Sequence, residues 1–313
     1  MTGQVALVGI VMAAGCVTVA PDHRCSGDEQ CVLDGVQGRC EDSGACSFPD
    51  EDGCGSGGFR YHEHAGEHAG ICVVTANAGI EVPAIDVGAV GEVEARATCA
   101  PEGAREAYVE LVSPGPQTIY VDTGTSATTT GAALALFEGS CPPVGNQMAC
   151  ETAPCGPVPF GRAVIDVLPG SYCLGVAAVS GVVGLRVLPA GRFAVQVPPN
   201  SPMAQTTCNQ GDAAVASCAM QPGPETPVLI ATCPGTTTVN VTIDPDDGEG
   251  LDAVLSLRQL NPAAADVECV NASTGTGPEA IGMALQGPLP YYAVVDRAGG
   301  ASCGHFAIAI TAQ

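Results

Sequence analysis

Ile119-Tyr120-Val121-Asp122-Thr123-Gly124-Thr125-Ser126 reads as two apolar-facing steps of an extended strand that runs into a turn. In a strand, successive side chains point to opposite faces, so Ile119 and Val121 share one face while Tyr120 and Asp122 share the other. A weaker echo lies downstream at Val241-Thr242-Ile243-Asp244-Pro245-Asp246. Other matches surround the pair: Cys99 with Cys218, Pro114-Gly115 with Pro234-Gly235, Leu134-Ala135-Leu136 with Leu255-Ser256-Leu257, Cys150 with Cys269, and Gly184 with Gly304. Tyr172 falls opposite Tyr291 or Tyr292. The offset stays between 119 (Cys99 to Cys218) and 122 (Ile119 to Val241), so one domain is written twice.

The composition agrees with short strands. The 313 residues include 41 Gly and 25 Pro, with no Trp, and turn residues punctuate the Val-, Thr- and Ala-rich runs. The fold class read from this is all-β: two tandem antiparallel β-sandwich, jelly-roll-like domains after a small disulfide-rich module. Domain expectations are 25–72 for the cysteine-rich module, 80–197 for the first sandwich, 198–207 for a linker around Pro198 to Pro202, and 208–313 for the second sandwich.

Formal charge is −23, and all ten basic residues are arginines spread singly along the chain. Without a basic patch, a nucleic-acid partner is excluded on electrostatic grounds, and an anionic membrane surface repels the chain. The apolar run Val5 to Ala14 is too short to span a bilayer and suits a signal-peptide core, giving 1–15 as signal peptide. Ala13-Ala14-Gly15-Cys16 resembles a bacterial lipobox, so Cys16 is the expected lipidation site, 16–24 the tether, and the membrane a partner through that anchor. Seventeen cysteines point to an oxidising compartment, and removing Cys16 leaves sixteen, an even number for pairing. The expected location is extracellular or at the outer membrane.

Cys25, Cys31, Cys40, Cys46, Cys54 and Cys72 crowd a segment too small for a sufficient core, so three bridges should fasten it, in any of fifteen pairings. Each copy has five cysteines, an odd number that leaves room for a bridge between copies. In the first copy the candidates are Cys141, Cys150, Cys155 and Cys173. Cys141 and Cys150 bracket a Pro-Pro-x-Gly turn and are the expected pair.

The repeat also carries a resemblance. Asp122-Thr123-Gly124-Thr125-Ser126, Leu134-Ala135-Leu136, Gly139-Ser140-Cys141, Cys150 and Leu168-Pro169-Gly170-Ser171-Tyr172 in the first copy, and Asp252-Ala253-Val254-Leu255-Ser256-Leu257 with Tyr291-Tyr292 in the second, are similar to bacterial peptidase pre-C-terminal domains. The first copy lacks the aspartate before Leu134 and has Cys173 for a second Tyr. The resemblance implies sandwiches of about a hundred residues that accompany catalytic domains or serve as spacers and adhesion units. A surface polysaccharide or protein is then the class of ligand.

Three constellations could carry chemistry. Asp122-Thr123-Gly124 spells the loop of aspartic proteases, in which two aspartates share a proton and activate a water. Asp244, the equivalent in the second copy, has neither Thr nor Gly after it, so such an enzyme would have to be a homodimer; the strand-and-turn reading explains more of the chain. His62, His64 and His68 fall in Tyr61-His62-Glu63-His64-Ala65-Gly66-Glu67-His68, where His64 to His68 fits the H-x-x-E-H spelling of a zinc-binding helix, but Gly66 inside it argues for a polar loop. Asp244, Asp246, Asp247, Glu249 and Asp252 concentrate carboxylates on one turn, which suits calcium, without the EF-hand spacing; a solvated acidic loop is the competing reading. No cofactor other than calcium is implied, and no catalytic residue is assigned. The expectation is a non-catalytic surface protein.

Overall fold

The computed structural model describes residues 24–312 apart from 56, 77–78, 88–95, 126–127, 153–159, 191–192, 197–202, 209–215, 220–222, 234, 247–249, 274–276, 288 and 299–302. Short strands open the chain: β1 (Val32–Leu33), β2 (Val36–Gln37), β3 (Arg39–Cys40), β4 (Cys46–Pro49) and β5 (Phe59–Tyr61), with one helical turn, α1 (Glu51–Cys54). The first copy is β6 (Cys72–Thr75), β7 (Ile80–Asp86), β8 (Arg105–Ser113), β9 (Gln117–Asp122), β10 (Ala133–Glu138), β11 (Gln147–Glu151), β12 (Arg162–Val167), β13 (Gly170–Ala178) and β14 (Val182–Pro189). The second is β15 (Phe193–Gln196), β16 (Met203–Thr206), β17 (Thr226–Ala231), β18 (Gly235–Pro245), β19 (Ala253–Gln259), β20 (Asp266–Val270), β21 (Glu279–Gly287), β22 (Tyr291–Arg297) and β23 (His305–Ala312).

The two copies have one topology. In the first, β11-β10-β13-β8-β6 faces β12-β9-β14-β7; in the second, β15-β17-β22-β19-β20 faces β16-β23-β18-β21. Leaving out β6 and β15, each pair of sheets has the strand order of a jelly roll, so the fold is all-β in the arrangement the sequence indicated. The repeat starts earlier than the proline-rich stretch suggests. β6 and β15 each join their sheet as a parallel strand, beside β8 and β17. β16, within the stretch expected to link the domains, pairs with β23.

Alternation builds each core. Ile119 and Val121 of β9, Leu185 and Val187 of β14, and Tyr172, Leu174 and Val176 of β13 fill the first sandwich. Val241 and Ile243, Ile308 and Ile310, and Tyr291, Ala293 and Val295 do so in the second. Tyr291 is therefore the counterpart of Tyr172. Each buried hydroxyl meets backbone near its own strand: the Leu168 N–H donates to Tyr172 Oη (2.9 Å) and the Gln286 N–H to Tyr291 Oη (3.1 Å).

The module extends the first sandwich's larger sheet through β6, β5, β4 and β3. Three bridges stay within it, as expected: Cys25–Cys40, Cys31–Cys46 and Cys54–Cys72. The expected Cys141–Cys150 pair does not form. Cys141 bonds Cys173 and Cys150 bonds Cys99. The reason is the path of the loop after β10, which folds over the outer face of the sheet so that the Cys141 N–H reaches Glu110 Oε2 (3.3 Å) on β8. Cys150 lies on the edge strand β11, beyond β10 and away from β13. Cys218–Cys269 repeats Cys99–Cys150 with the same separation of 51 residues, while Cys208–Cys303 is particular to the second copy. Cys233 is disulfide-bonded as well. Cys16 and Cys155 lie outside the described residues.

Candidate functional site

Asp122 ends β9 on its outward side, and its surroundings come from the seam between the copies. Tyr120, Leu188 and Ala190 of the first sandwich pack against Leu229, Ala231, Tyr292 and Val294 of the second. All lie on outward faces, since their strand neighbours Val121, Val187, Ile230 and Ala293 belong to the two inner cores. Tyr292 also donates its hydroxyl proton to Pro189 O (2.8 Å). Beside this apolar patch the buried Asp122 carboxylate takes Arg186 Nη1 at 3.2 Å through Oδ2, and the Gly124 N–H at 2.8 Å through Oδ1. Burial pushes the Asp122 carboxyl up; the Arg186 guanidinium and the Gly124 N–H oppose that shift. The arrangement is a buried ion pair closed by a turn. Asp244, at the equivalent strand position, is exposed.

The outer face of the larger sheet in the first copy is covered by the module. Glu110, fully buried on β8, accepts a hydrogen bond from the Tyr61 hydroxyl of β5 at 3.0 Å. Ser43 Oγ stands 2.9 Å from that hydroxyl. His68 Nδ1 meets the Cys141 carbonyl, and Ser171 donates to Asp42 at 3.0 Å. Burial, chiefly, raises Glu110 from the ordinary carboxylate range to about 7, against the opposing pull of the Cys141 N–H and the Tyr61 O–H. Its Oε1 has no hydrogen-bond partner among the described residues. Glu106, two positions along the same face from Tyr108, is also raised by burial.

A cleft of about 610 Å³ opens where module and sandwich meet. Its floor is apolar, from Ile71, Val82, Ile85, Ala107 and Val109, and its rim carries Arg60, Glu67, Asp86 and Arg96. This size and lining suit a ligand site.

The metal candidates are dispersed among the described residues. His62 and His64 rings stand 4.9 Å apart, and His64 Nε2 lies 3.6 Å from Glu63. His68 is turned to Cys141 and packs on Tyr61 at 5.2 Å. Gly66–His68 forms a 3-10 turn, so His64 and His68 do not share the face of an α-helix. Asp244 and Asp246 are exposed and Asp252 half-buried; Asp247 and Glu249 lie outside the described residues. The one group of potential ligands among the described residues is Cys25, Cys31 and Cys40, all consumed in disulfides. Sequence reasoning passed over Glu110, Glu106 and the fully buried Arg258, which pairs with Glu225 (3.4 Å) and Asp266 (2.7 Å). A charged residue at an outward strand position looks like solvent exposure unless the covering segment is known.

No protein family and no curated protein matches the sequence. Among solved structures, the isomalto-dextranase of Arthrobacter globiformis T6 complexed with panose aligns at 11% identity and a TM-score of 0.21, covering 67% of this chain and 34% of that one. The CUB1-EGF-CUB2 domains of rat MASP-1 align at 8% identity and 0.19, covering 75% and 99%. The CBM22 tandem of Paenibacillus barcinonensis Xyn10C aligns at 11% and 0.20, covering 76% and 99%. This chain thus spans about a third of the dextranase. Likenesses this distant assign nothing, and the function rests on the residues.

Proposed function

We propose that the chain is an exported, lipid-anchored surface protein without catalytic activity, whose module and two sandwiches form a binding or adhesion unit. The observation that carries this reading is the state of Asp122: ion-paired with Arg186, buried beside the seam, and engaged by a turn N–H. A protease carboxylate needs a second one facing it and an open groove; Asp122 has a guanidinium as its partner. The seven bridges between described residues support an oxidising compartment. The resemblance to peptidase pre-C-terminal domains supports a spacer or adhesion role.

Expression in a Gram-negative host tests the location. Wild-type protein should enter the detergent phase and be labelled by a membrane-impermeant reagent on intact cells, and Cys16→Ser should shift to the aqueous phase. Cytosolic protein with free thiols would defeat the reading.

A further inference from the structure

The larger sheet of each sandwich has its outer face covered, and the two covers differ in chemistry. Glu110 pairs with Cys173 across β8 and β13, and Leu229 with Tyr292 across β17 and β22. Because Tyr291 is the counterpart of Tyr172, Leu229 stands in the second copy where Glu110 stands in the first. Leu229 is sealed by Tyr120 and Leu188 in an apolar contact. Glu110 is sealed by Tyr61 of the module, in a contact that can ionise. The elements around Glu110 do little for its charge. β6 and β13 flank it with Val73 and the disulfide-bonded Cys173, and Tyr108 and Val112 follow it on the same face of β8. The Tyr61 O–H and the Cys141 N–H both go to Oε2. The module brings two more carboxylates: Glu41, which pairs with Arg39 (3.4 Å), and Asp42, which takes the Ser171 hydroxyl proton (3.0 Å). His68 is engaged by the Cys141 carbonyl and the Tyr61 ring. An ionised Glu110 is therefore a buried charge with two donors, no ion pair among the described residues, and Glu41 acting against it.

We propose that the joint is a pH-operated latch: ionisation of Glu110 lets the module swing off the outer face of β8, while the seam between the sandwiches stays shut. The module remains tied to the sheet by the pairs Phe59↔Val73 and Arg60↔Cys72 and by the Cys54–Cys72 bridge, so it swings without leaving. Such local opening needs only the joint's own contacts to give way, with both cores intact. Burial holds the closed carboxyl up at about 7, whereas in the opened joint it returns towards 4.5, so the closed state binds the proton more tightly. Closure is therefore strongest below about pH 4.5, weakens as pH rises towards 7, and stays weak above it. The seam, closed at the equivalent place by Leu229, has no such dependence at that position.

Hydroxyl-radical oxidation of the full, disulfide-bonded chain from pH 5 to 8, read residue by residue by mass spectrometry, compares Tyr61 under the joint with Tyr292 under the seam, both fully buried. Each yield is divided by that of a short tyrosine peptide oxidised at the same pH. Expected is a rise of roughly tenfold or more at Tyr61 between pH 5 and 8, with Tyr292 constant to within about twofold. Glu110→Gln cannot ionise, and Glu110→Leu copies the second sandwich; each should hold the Tyr61 yield level across the range, and each is judged by itself, so that one failing to fold leaves the other as the test. A Tyr61 yield that is level in wild type, or that rises as much in a folded variant, would overturn the proposal. So would Tyr61 and Tyr292 rising together, which marks loosening of the whole chain and not of the joint.

Discussion

Replacing Glu110 by Gln probes the joint between module and sandwich. The carboxyl is raised from an ordinary 4.5 to about 7 in the folded chain, chiefly by burial. Each unit of difference is worth about 1.4 kcal/mol, so the interval amounts to about 3 kcal/mol. Because the folded pKa is the higher one, the folded chain holds the proton more tightly than the unfolded chain. This stabilisation is complete below about pH 4.5, declines as pH rises towards 7, and is gone above it. Gln keeps the shape, mimics the neutral form and cannot ionise. Urea unfolding with the disulfides intact, followed by far-ultraviolet circular dichroism from pH 4.5 to 8.5, compares the two. The variant should match wild type near pH 4.5 and exceed it by up to about 3 kcal/mol at pH 8. Glu106 adds a contribution of the same sign in both proteins, and the lowered carboxyls of Asp50 and Asp266 one of opposite sign, so the difference between the proteins isolates Glu110. A difference that does not change with pH, or that narrows as pH rises, would refute the reasoning.

Two further outcomes are expected. Serine pairs replacing Cys99–Cys150 and Cys218–Cys269 should each lower stability by about 4 kcal/mol, since both bridges close loops of 51 residues, and unequal denaturation losses would break the equivalence of the copies. Tyr292→Phe leaves the Pro189 carbonyl without its donor and should cost about 1 kcal/mol, measured as a shift in the denaturant midpoint.

The alternation in Ile119 to Asp122 made the strand and its two faces legible, and the repeat made the domain count legible. What lies on the outward face was not. Tyr120 and Leu188 occupy outward positions whose counterparts on β18 and β23 are Thr242 and Ala309, as the matching registers show. That contrast of a bulky apolar pair against a small pair of one Thr and one Ala was the available sign that the first copy's face is covered and the second's is not. The registers were beyond reach before the strands were paired. The same holds for Cys141, whose partner depends on a loop turning over the sheet, and for the cleft, which depends on where β6 parts from β8. Glu110 looked like a surface residue because its cover, Tyr61, comes from a separate segment 49 residues earlier.

The central claim is that Asp122 is structural, paired with Arg186 beside the seam, and performs no chemistry. Asp122→Asn tests it, by incubating wild type and variant with denatured casein from pH 3 to 7. Casein should stay intact in both samples, because an aspartic protease needs a second carboxylate facing the first. Casein digested by wild type and left intact by the variant would contradict the account.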